Sequence, residues 1–381
     1  MFKTGNPVTG KDFIDRKDHL PLFKTYIDQN QSFMIKAPRR FGKTSIIKHL
    51  LEDKEEYEFV YVDIKRVSSL SSLANQIINS AYKISAIDNF LYKAKNSMFD
   101  LVKTIQKIKI DDIAEVTIKM FEKDDIDDVE YFLHSLDLLN SIAIKKNINI
   151  KFALDEFQDI LKISSSEILD KSRSVMQHHN NITYIFLGSI ETIMTKIFEH
   201  KSSPFFHFAT IVDLPPLNID ELYKYSDEVF LQKGIKCDSL RYMLIYLGGH
   251  PDYSLQVLQK LYFLSIANNI KQLSSKNVYD TLVDVILSNK AYIEELISKA
   301  KQKKHSLDVL YSIANGEKIK LDSKTLYNVH SSLEDKGLIK KVALGQYRIN
   351  DIFLKIYLQQ QDDEMKLVDY EKCRSNMAAL K

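Results

Sequence analysis

Residues 37–45 read Ala37-Pro38-Arg39-Arg40-Phe41-Gly42-Lys43-Thr44-Ser45. They lie between an apolar, strand-like stretch at 32–35 and a helix-like stretch at 46–51. A loop that enters a helix points several N–H groups at one spot, and the positive end of the helix dipole adds to their field. In such a loop Lys43 reaches the β and γ phosphates, and the Thr44 hydroxyl ligates Mg²⁺. The stretch therefore predicts a phosphate-binding loop between a strand and a helix.

This loop matches the pattern G-x-x-x-x-G-K-[ST] except at its first position, where Ala37 stands. Gly42 keeps the position at which the backbone comes closest to phosphate. The candidate nucleotide contacts are Pro38, Arg39, Arg40, Phe41, Gly42, Lys43, Thr44 and Ser45. Arg39 and Arg40 have three alternative roles. They would contact phosphate, contact an adjacent subunit in a nucleotide-dependent self-association, or only solvate the loop. The alternative for the whole motif is a chance Gly-Lys-Thr in a turn.

A second apolar run, residues 149–154, ends in Asp155 and Glu156. This pattern is typical of a buried parallel strand whose carboxyl end opens at a ligand crevice. There Asp155 would hold Mg²⁺ directly or through water, and Glu156 would polarise the attacking water. Taken alone, an Asp-Glu pair after a strand is equally typical of a solvated helix start. Together with the phosphate loop it indicates a nucleoside triphosphatase that uses ATP and Mg²⁺.

The composition limits the class of protein. A chain of 381 residues, 45% hydrophobic, can bury a full core in two or three domains. Its 53 Lys and Arg against 51 Asp and Glu leave a formal charge of +2, which excludes a uniformly basic nucleic-acid coat. The two cysteines, Cys237 and Cys373, lack metal-ligand spacing. No segment reaches the roughly 18–20 apolar residues of a membrane span, and no signal region is evident, so we expect a cytoplasmic protein without membrane contact.

Strand signals alternate with helix-like segments up to residue 215. The strand-like runs are 32–36, 59–64, 148–155, 182–187 and 210–214. This alternation predicts an α/β fold with a five-stranded parallel sheet covered by helices. Only charged amphipathic stretches occur at about 65–147, so we expect a helical insertion there. Residues 1–215 form the predicted P-loop ATPase core.

The sequence turns helical after Pro215-Pro216, and we expect a helical lid at 216–300. A compact module follows at 301–360, and a charged tail at 361–381. The signals of this module are a helix at 307–314, a helix at 323–336, and strands at 338–342 and 345–349. That order is typical of a winged helix, here reduced because the segment between the two helices is too short for another helix.

Basic residues cluster around the predicted winged helix. They are Lys301, Lys303, Lys304, Lys318, Lys320, Lys324, Lys340 and Lys341. Such a cluster is typical of a footprint for DNA phosphates. Glu334 and Asp335 interrupt it, so a protein partner for a reduced winged helix is an equal alternative.

Eight segments follow one another along the chain. They are FIDRKDHLPLF, IKAPRRFGKTSII, VYVDIKRVSSLSSL, KFALDEFQDI, YIFLGSIETIMTKIF, SPFFHFATIVDLPPL, GGHPDYSLQVL and YRINDIFLKIYL. In this order they resemble the archaeal-type ATPases of the signal-transduction branch of the AAA+-like P-loop proteins. The resemblance covers residues 13–358, and its most specific motifs are P-R-R-x-G-K-T and D-E-F-Q. It implies an ATPase core, a helical lid and a winged helix, a layout shared with the origin-recognition ATPases.

The resemblance also implies roles for residues outside these two motifs. Arg16, at the end of 13–16, would line the adenine, and Pro251, in the break 249–251, would place the lid over the nucleotide. Ser189 would be a sensor that contacts the γ-phosphate or the attacking water, although the sequence equally allows a helix N-cap. The catalytic candidates are thus Glu156, Lys43 and Ser189, and the candidate metal ligands are Thr44 and Asp155.

One departure from the family pattern bears on the rate of hydrolysis. Many members place an arginine shortly after an aromatic pair, where this chain has Phe205-Phe206-His207. A neutral histidine does not replace a fixed guanidinium charge in stabilising a phosphoryl transition state. We therefore expect an ATP-binding, slowly hydrolysing switch whose ATP or ADP state positions the winged helix for DNA or protein interaction. The alternative is a nucleotide-gated binding or scaffold module with little ATP turnover.

Overall fold

The computed structural model describes residues 2–8, 10, 13–14, 16, 19–51, 56–84, 127–189 and 191–360. Contacts divide the chain into two compact units. The sheet unit comprises residues 18–37 and 46–214, and the helical unit comprises residues 1–17, 38–45 and 215–381. Residues 85–126 of the predicted insertion and the predicted tail at 361–381 lie outside the described residues. The predicted borders at 300 and 360 stay predictions.

The sheet unit is built on five parallel strands. They are β1 (Phe33–Lys36), β2 (Glu58–Asp63), β3 (Ile150–Asp155), β4 (Ile182–Gly188) and β5 (Thr210–Asp213). Their order in the sheet is β2-β3-β4-β1-β5. Every residue of β3 and β4 is buried, as expected for inner strands that are covered on both faces. The predicted five-stranded parallel sheet is confirmed.

Helices flank this sheet. They are α1 (Leu20–Asp28), α2 (Lys43–Leu51), α3 (Leu70–Ile84), α4 (Asp128–Lys146), α5 (Ile160–Ile163), α6 (Glu167–Met176) and α7 (Glu191–Phe198). Apolar side chains of α3 and α4, such as Ile77 and Leu139, share one buried cluster with Phe152 of β3. Asp127 begins α4 because its carboxylate accepts hydrogen bonds from two N–H groups of the first turn. The described ends of the predicted insertion are therefore helical.

The lid region of the helical unit, residues 216–300, contains five helices. They are α8 (Ile219–Leu231), α9 (Leu240–Tyr246), α10 (Pro251–Ala267), α11 (Ser275–Ser288) and α12 (Lys290–Lys301). A parallel pair of two-residue strands, β6 (Lys236–Cys237) and β7 (Gln272–Leu273), joins two of the connections between them. Among the described residues, no helix is both long and apolar enough to cross a bilayer.

The N-terminal residues belong to the core of the helical unit. Phe2 is fully buried, and its ring packs against the rings of Tyr225, Phe230 and Tyr262. Its carbonyl oxygen accepts a hydrogen bond of 2.7 Å from the side chain of Gln259. This early segment therefore stabilises helices that lie far along the chain.

The C-terminal module has the order that the sequence predicts for a reduced winged helix. It consists of α13 (Ser306–Asn315), α14 (Ser323–Asp335), the antiparallel hairpin β8 (Ile339–Ala343) and β9 (Gln346–Ile349), and α15 (Ile352–Gln360). Residues 317–322, all of them described, contain no helix. The structure adds α15, which the sequence analysis did not predict, and its buried Phe353 and Leu354 join the core of the helical unit.

Two adjacent glycines before α10 provide a stability test. Gly248 and Gly249 both have positive φ, but a Cβ atom on Gly249 would lie 2.3 Å from the Leu217 carbonyl oxygen. A Cβ atom on Gly248 would meet nothing within 4 Å. We expect Gly248→Ala to lower the free energy of unfolding by about 1–2 kcal/mol, the cost of a left-handed alanine. Gly249→Ala should cost about 1–3 kcal/mol more, because the Leu217 backbone must move.

Chemical denaturation of the two variants beside the unchanged protein measures this difference. Equal losses in the two alanine variants would contradict the close approach of Gly249 to Leu217.

Candidate functional site

The phosphate loop, residues 37–42, leaves the carboxyl end of β1 and enters α2 at Lys43. Lys43 is 5% exposed, and its Nζ donates a hydrogen bond of 2.9 Å to the Pro38 carbonyl oxygen. The first turn of α2, all of it described, contains no acidic residue. The positive end of the helix dipole and the Lys43 ammonium group therefore lie on the same short segment, as an anion site requires.

Arg16 fastens this loop to the start of the lid region. Arg16 is 5% exposed and has a φ of 80°. Nη2 donates to the Phe41 carbonyl oxygen at 3.0 Å, and Nη1 donates to the carbonyl oxygens of Pro215 at 2.5 Å and Pro216 at 3.4 Å. Hydrogen bonds from a charged donor are strong, so Arg16 supports the shape of the loop. Its contact with adenine stays a prediction.

Arg40 connects the phosphate loop to α10 and α12. It has a φ of 63°, and its Nη1 lies 3.3 Å from an oxygen of Asp252 in the first turn of α10. The guanidinium carbon also lies 5.3 Å from the ring centroid of Tyr292 in α12. Asp252 accepts a second hydrogen bond, of 2.6 Å, from Gln256. The described contacts of Arg40 are thus an ion pair and a cation–π contact within the helical unit.

His250, the N-cap of α10, is buried beside the phosphate loop. Its ring lies 4.8 Å from the Phe41 ring and stacks on the Tyr253 ring at 4.0 Å. Burial, followed by the charge of Arg40, lowers the pKa of His250 to about 3. The imidazole is therefore neutral at physiological pH, and its Nδ1 accepts a hydrogen bond from the Tyr253 N–H group. Pro251, the predicted lid residue, is buried in the first turn of α10.

The contacts continue from Tyr253 into the C-terminal module. Its ring stacks on Phe353 of α15 at 3.7 Å, and its hydroxyl donates to an oxygen of Asp351 at 2.5 Å. Burial raises the pKa of Asp351, which also caps α15 through the Leu354 N–H group. The neighbouring Asn350 donates to two carbonyl oxygens at the start of the hairpin. A continuous set of contacts therefore joins the phosphate loop, α10 and the hairpin within the helical unit.

The sheet unit carries an acidic cluster at the carboxyl ends of β2 and β3. Asp155 is 5% exposed and accepts hydrogen bonds from the Tyr61 hydroxyl at 2.7 Å and from the Glu156 N–H group at 2.9 Å. Asp63, the last residue of β2, lies opposite Asp155 in the sheet register. Burial, followed by the charge of Asp155, raises the pKa of Asp63. Oxygen donors of this kind suit a hard divalent cation.

Glu156 follows Asp155 in a left-handed backbone conformation, with φ 52° and ψ 44°. Its Oε2 accepts a hydrogen bond of 2.5 Å from the hydroxyl of Ser189, which follows β4. A left-handed non-glycine residue is uncommon and is enriched where the surrounding structure holds a functional group in place. The structure thus brings two of the predicted catalytic residues, Glu156 and Ser189, into direct contact.

Comparison with solved structures identifies this architecture. The Walker-type ATPase PABY2304 of Pyrococcus abyssi matches 94% of this chain and 99% of its own length, with a TM-score of 0.68 and 15% sequence identity. The chain has the fold of an archaeal Walker-type ATPase. The ORC2 protein of Aeropyrum pernix, solved in ADPNP–ADP complexes, matches 97% of each chain with a TM-score of 0.56 and 13% identity. No protein-family model and no curated protein sequence matches the chain.

The resemblance predicted from sequence is therefore confirmed as a likeness of fold to archaeal and origin-recognition ATPases. Within this ATPase fold, Lys43, Thr44 and Ser45 form the first turn of α2, and Asp155 ends β3. Ser45 accepts a hydrogen bond of 3.2 Å from the Val8 N–H group, and Arg39 is exposed. The roles assigned to these residues in catalysis, nucleotide contact and metal binding stay predictions.

Sequence reasoning missed several residues of this ATPase fold. Gln158 contacts Glu156, Asp63 faces Asp155, and Tyr292 and Asp351 belong to the contacts that start at Arg40. A signal for Asp63 exists, because β2 and β3 are both apolar runs that end in aspartate. Gln158 is part of D-E-F-Q, but only the fold shows that its side chain turns back to Glu156.

Proposed function

We propose that the protein is an ATP-binding, slowly hydrolysing molecular switch that requires Mg²⁺. The observation that carries this proposal is that the phosphate loop and the Asp155-Glu156 pair follow the two strands that flank β4 in the sheet. β4 pairs with β1, which continues into the phosphate loop, and β4 also pairs with β3, which ends in Asp155 and Glu156. The ADPNP and ADP of the ORC2 complexes, bound by a protein of the same fold, support the choice of nucleotide.

Each residue has a distinct part in this proposed reaction. Lys43 and the N–H groups at the start of α2 would bind the phosphates, and the oxygen atoms of Thr44 and Asp155 would hold Mg²⁺. The metal would supply positive charge for the phosphate oxygens. Glu156 orients a water molecule and accepts its proton as the water oxygen bonds to the γ-phosphorus. The bond from that phosphorus to the bridging oxygen breaks, and ADP and phosphate leave.

We expect slow turnover from the residue at the family's arginine position and from the contacts of Arg16 and Arg40. His207 stands at the position where the family pattern has an arginine, and it is exposed with a φ of 59°. Arg16 and Arg40 have partners in the protein itself, in carbonyl oxygens and in Asp252. A transition-state guanidinium group would then have to come from the exposed Arg39 or from elsewhere, and its supply raises phosphoryl-transfer rates by roughly 10³–10⁵. This favours, as second candidate, a nucleotide-gated binding module with little turnover.

The output of the switch is the C-terminal module. Loop residues Phe41 and Arg40 contact His250 and Asp252 of the α10 region, and Tyr253 contacts Asp351 beside the hairpin. A shift of the loop on exchange of ATP for ADP is thus transmitted to the hairpin through packed side chains. Phosphate release measured with and without duplex DNA tests the function. Turnover no greater than that of Lys43→Ala under both conditions would contradict ATP hydrolysis and support the nucleotide-gated binding module.

If the partner of the C-terminal module is DNA, its affinity for DNA should depend on salt. Lys318, Lys320, Lys324 and Lys341 are exposed on the C-terminal module, and Lys340 is half-buried. If the exposed lysines contact DNA phosphates, the affinity for duplex DNA should fall steeply with salt, with a log–log slope of about −0.9 per contact. The triple variant Lys320→Ala, Lys324→Ala, Lys341→Ala should flatten this slope by roughly 2.7 units and leave ATP affinity unchanged.

A matched triple variant controls for net charge. Lys233, Lys236 and Lys276 are exposed in the lid region, and their replacement by alanine should leave the slope as it is. Fluorescence anisotropy with labelled duplex, in ATP and in ADP, measures both variants. A lack of DNA affinity at low salt with either nucleotide would contradict a DNA partner and favour a protein partner.

A further inference from the structure

Gln158 is a buried side chain that the proposed reaction has not yet used. It is 3% exposed and lies in the short helical turn at 157–159 that follows Glu156. Its Nε2 donates a hydrogen bond of 2.5 Å to Glu156 Oε2 and lies 3.5 Å from Asp159 Oδ1. A buried amide is costly unless its groups are hydrogen-bonded. Two carboxylates beside the NH₂ group of Gln158 offset this cost, because they accept its protons.

The two carboxylates determine which way the amide points. If the amide were reversed, its oxygen would face Glu156 Oε2 and Asp159 Oδ1, and three acceptors would meet without a proton between them. In the observed orientation, the amide oxygen has no partner among the described residues. The amide therefore leaves its own acceptor unsatisfied while it donates to Glu156. The bond to Glu156 is the one that this orientation preserves.

Glu156 Oε2 receives two donors from different parts of the sheet unit. Ser189 approaches after β4, and Gln158 approaches from the turn after β3, each at 2.5 Å. A glutamate side chain has three rotatable bonds, and two donors on one oxygen restrict rotation of the carboxylate. The direction in which the lone pairs of the other oxygen point is then restricted as well. A base that accepts a proton from water needs this orientation before its pKa matters.

We propose that Gln158 is a positioning residue for ATP hydrolysis, whose amide holds the Glu156 carboxylate in the orientation that water activation needs. This inference rests on the proposed function, because it assigns Gln158 its part through Glu156. Ser189 acts on the same oxygen from the other side, so Gln158 and Ser189 act as a pair. No contact of Gln158 with the nucleotide is required.

Two variants of Gln158 test the proposal. Gln158→Met keeps the length and packing of the side chain and removes the donor, and Gln158→Glu keeps its shape and replaces the donor by a second carboxylate. We expect Gln158→Met to lower kcat roughly tenfold, with ATP affinity within about twofold of the unchanged protein. Gln158→Glu should lose more activity, because its carboxylate cannot donate a hydrogen bond to Glu156.

A double-variant cycle separates positioning from simple loss of stability. Glu156→Gln combined with Gln158→Met should hydrolyse ATP no more slowly than Glu156→Gln alone, since Gln158 acts through Glu156. Additive losses in this cycle would overturn the proposal, as would unchanged kcat in both Gln158 variants. Thermal unfolding identifies a variant that does not fold, and the other variant then decides. If the unchanged protein hydrolyses no ATP above the Lys43→Ala background, the proposed function itself fails, and the inference fails with it.

Discussion

The Lys43→Ala variant should lose ATP–Mg²⁺ binding, with an affinity at least roughly 100-fold below that of the unchanged protein. Lys43 is the first residue of α2, and its Nζ lies against the Pro38 carbonyl oxygen of the phosphate loop. Its removal takes a fixed positive charge from the segment that carries the positive end of the helix dipole, so triphosphate charge remains partly uncompensated. Isothermal titration with ATP and Mg²⁺ measures the loss.

Lys24→Ala is the matched control, because Lys24 is an exposed lysine of α1 and its replacement changes net charge equally. A second variant, Lys43→Met, keeps the apolar stem and should behave as Lys43→Ala does. Equal ATP affinity in all four proteins would remove the phosphate loop from the nucleotide site.

The Glu156→Gln variant should bind ATP and hydrolyse it roughly 10²-fold more slowly, or worse. Glutamine preserves the shape of the side chain, and its amide still reaches Ser189 and Gln158. It lacks the carboxylate that accepts the proton of the attacking water, so the hydrolysis rate should fall while the affinity for ATP is kept. Phosphate release under saturating ATP measures the rate, and titration measures the affinity.

Glu167→Gln is the control for this experiment, since Glu167 is an exposed acid in the first turn of α6 of the same unit. It should hydrolyse ATP at the rate of the unchanged protein. Equal hydrolysis by Glu156→Gln would show that Glu156 is not the catalytic base, whatever its contacts with Ser189.

Sequence reasoning placed all five strands of the sheet within two residues of their observed ends. These runs combine β-branched and aromatic residues, and burial on both faces makes the inner strands β3 and β4 mostly apolar. The phosphate loop and the Asp155-Glu156 pair could also be predicted from sequence, because phosphate binding and metal binding each depend on a short contiguous stretch. The hairpin β8-β9 follows for a similar reason, since Gly345 separates two short runs with strand character.

Other features depend on contacts between distant segments and leave no local pattern. Arg16 donates to carbonyl oxygens about 200 residues away along the chain, so its sequence context does not reveal its partners. The strands β6 and β7 have two residues each, too few for any periodicity. Arg40 looks like a phosphate ligand from its neighbours in the motif, whereas its described contacts are Asp252 and Tyr292. Only the fold brings these residues together.

The burial of Phe2 has a consequence for the order in which the protein matures during synthesis. Phe2 and its partner Gln259 are separated by 257 positions, and a ribosome adding about 5–20 residues per second needs roughly 10–50 s to cover them. The segments of the sheet unit, which end at residue 214, are complete before that contact can form. Residues 38–45 belong with Phe2 to the unit that is completed later. A nascent chain should therefore acquire its sheet first and its capacity to hold a nucleotide only after the helices of the lid region have been made.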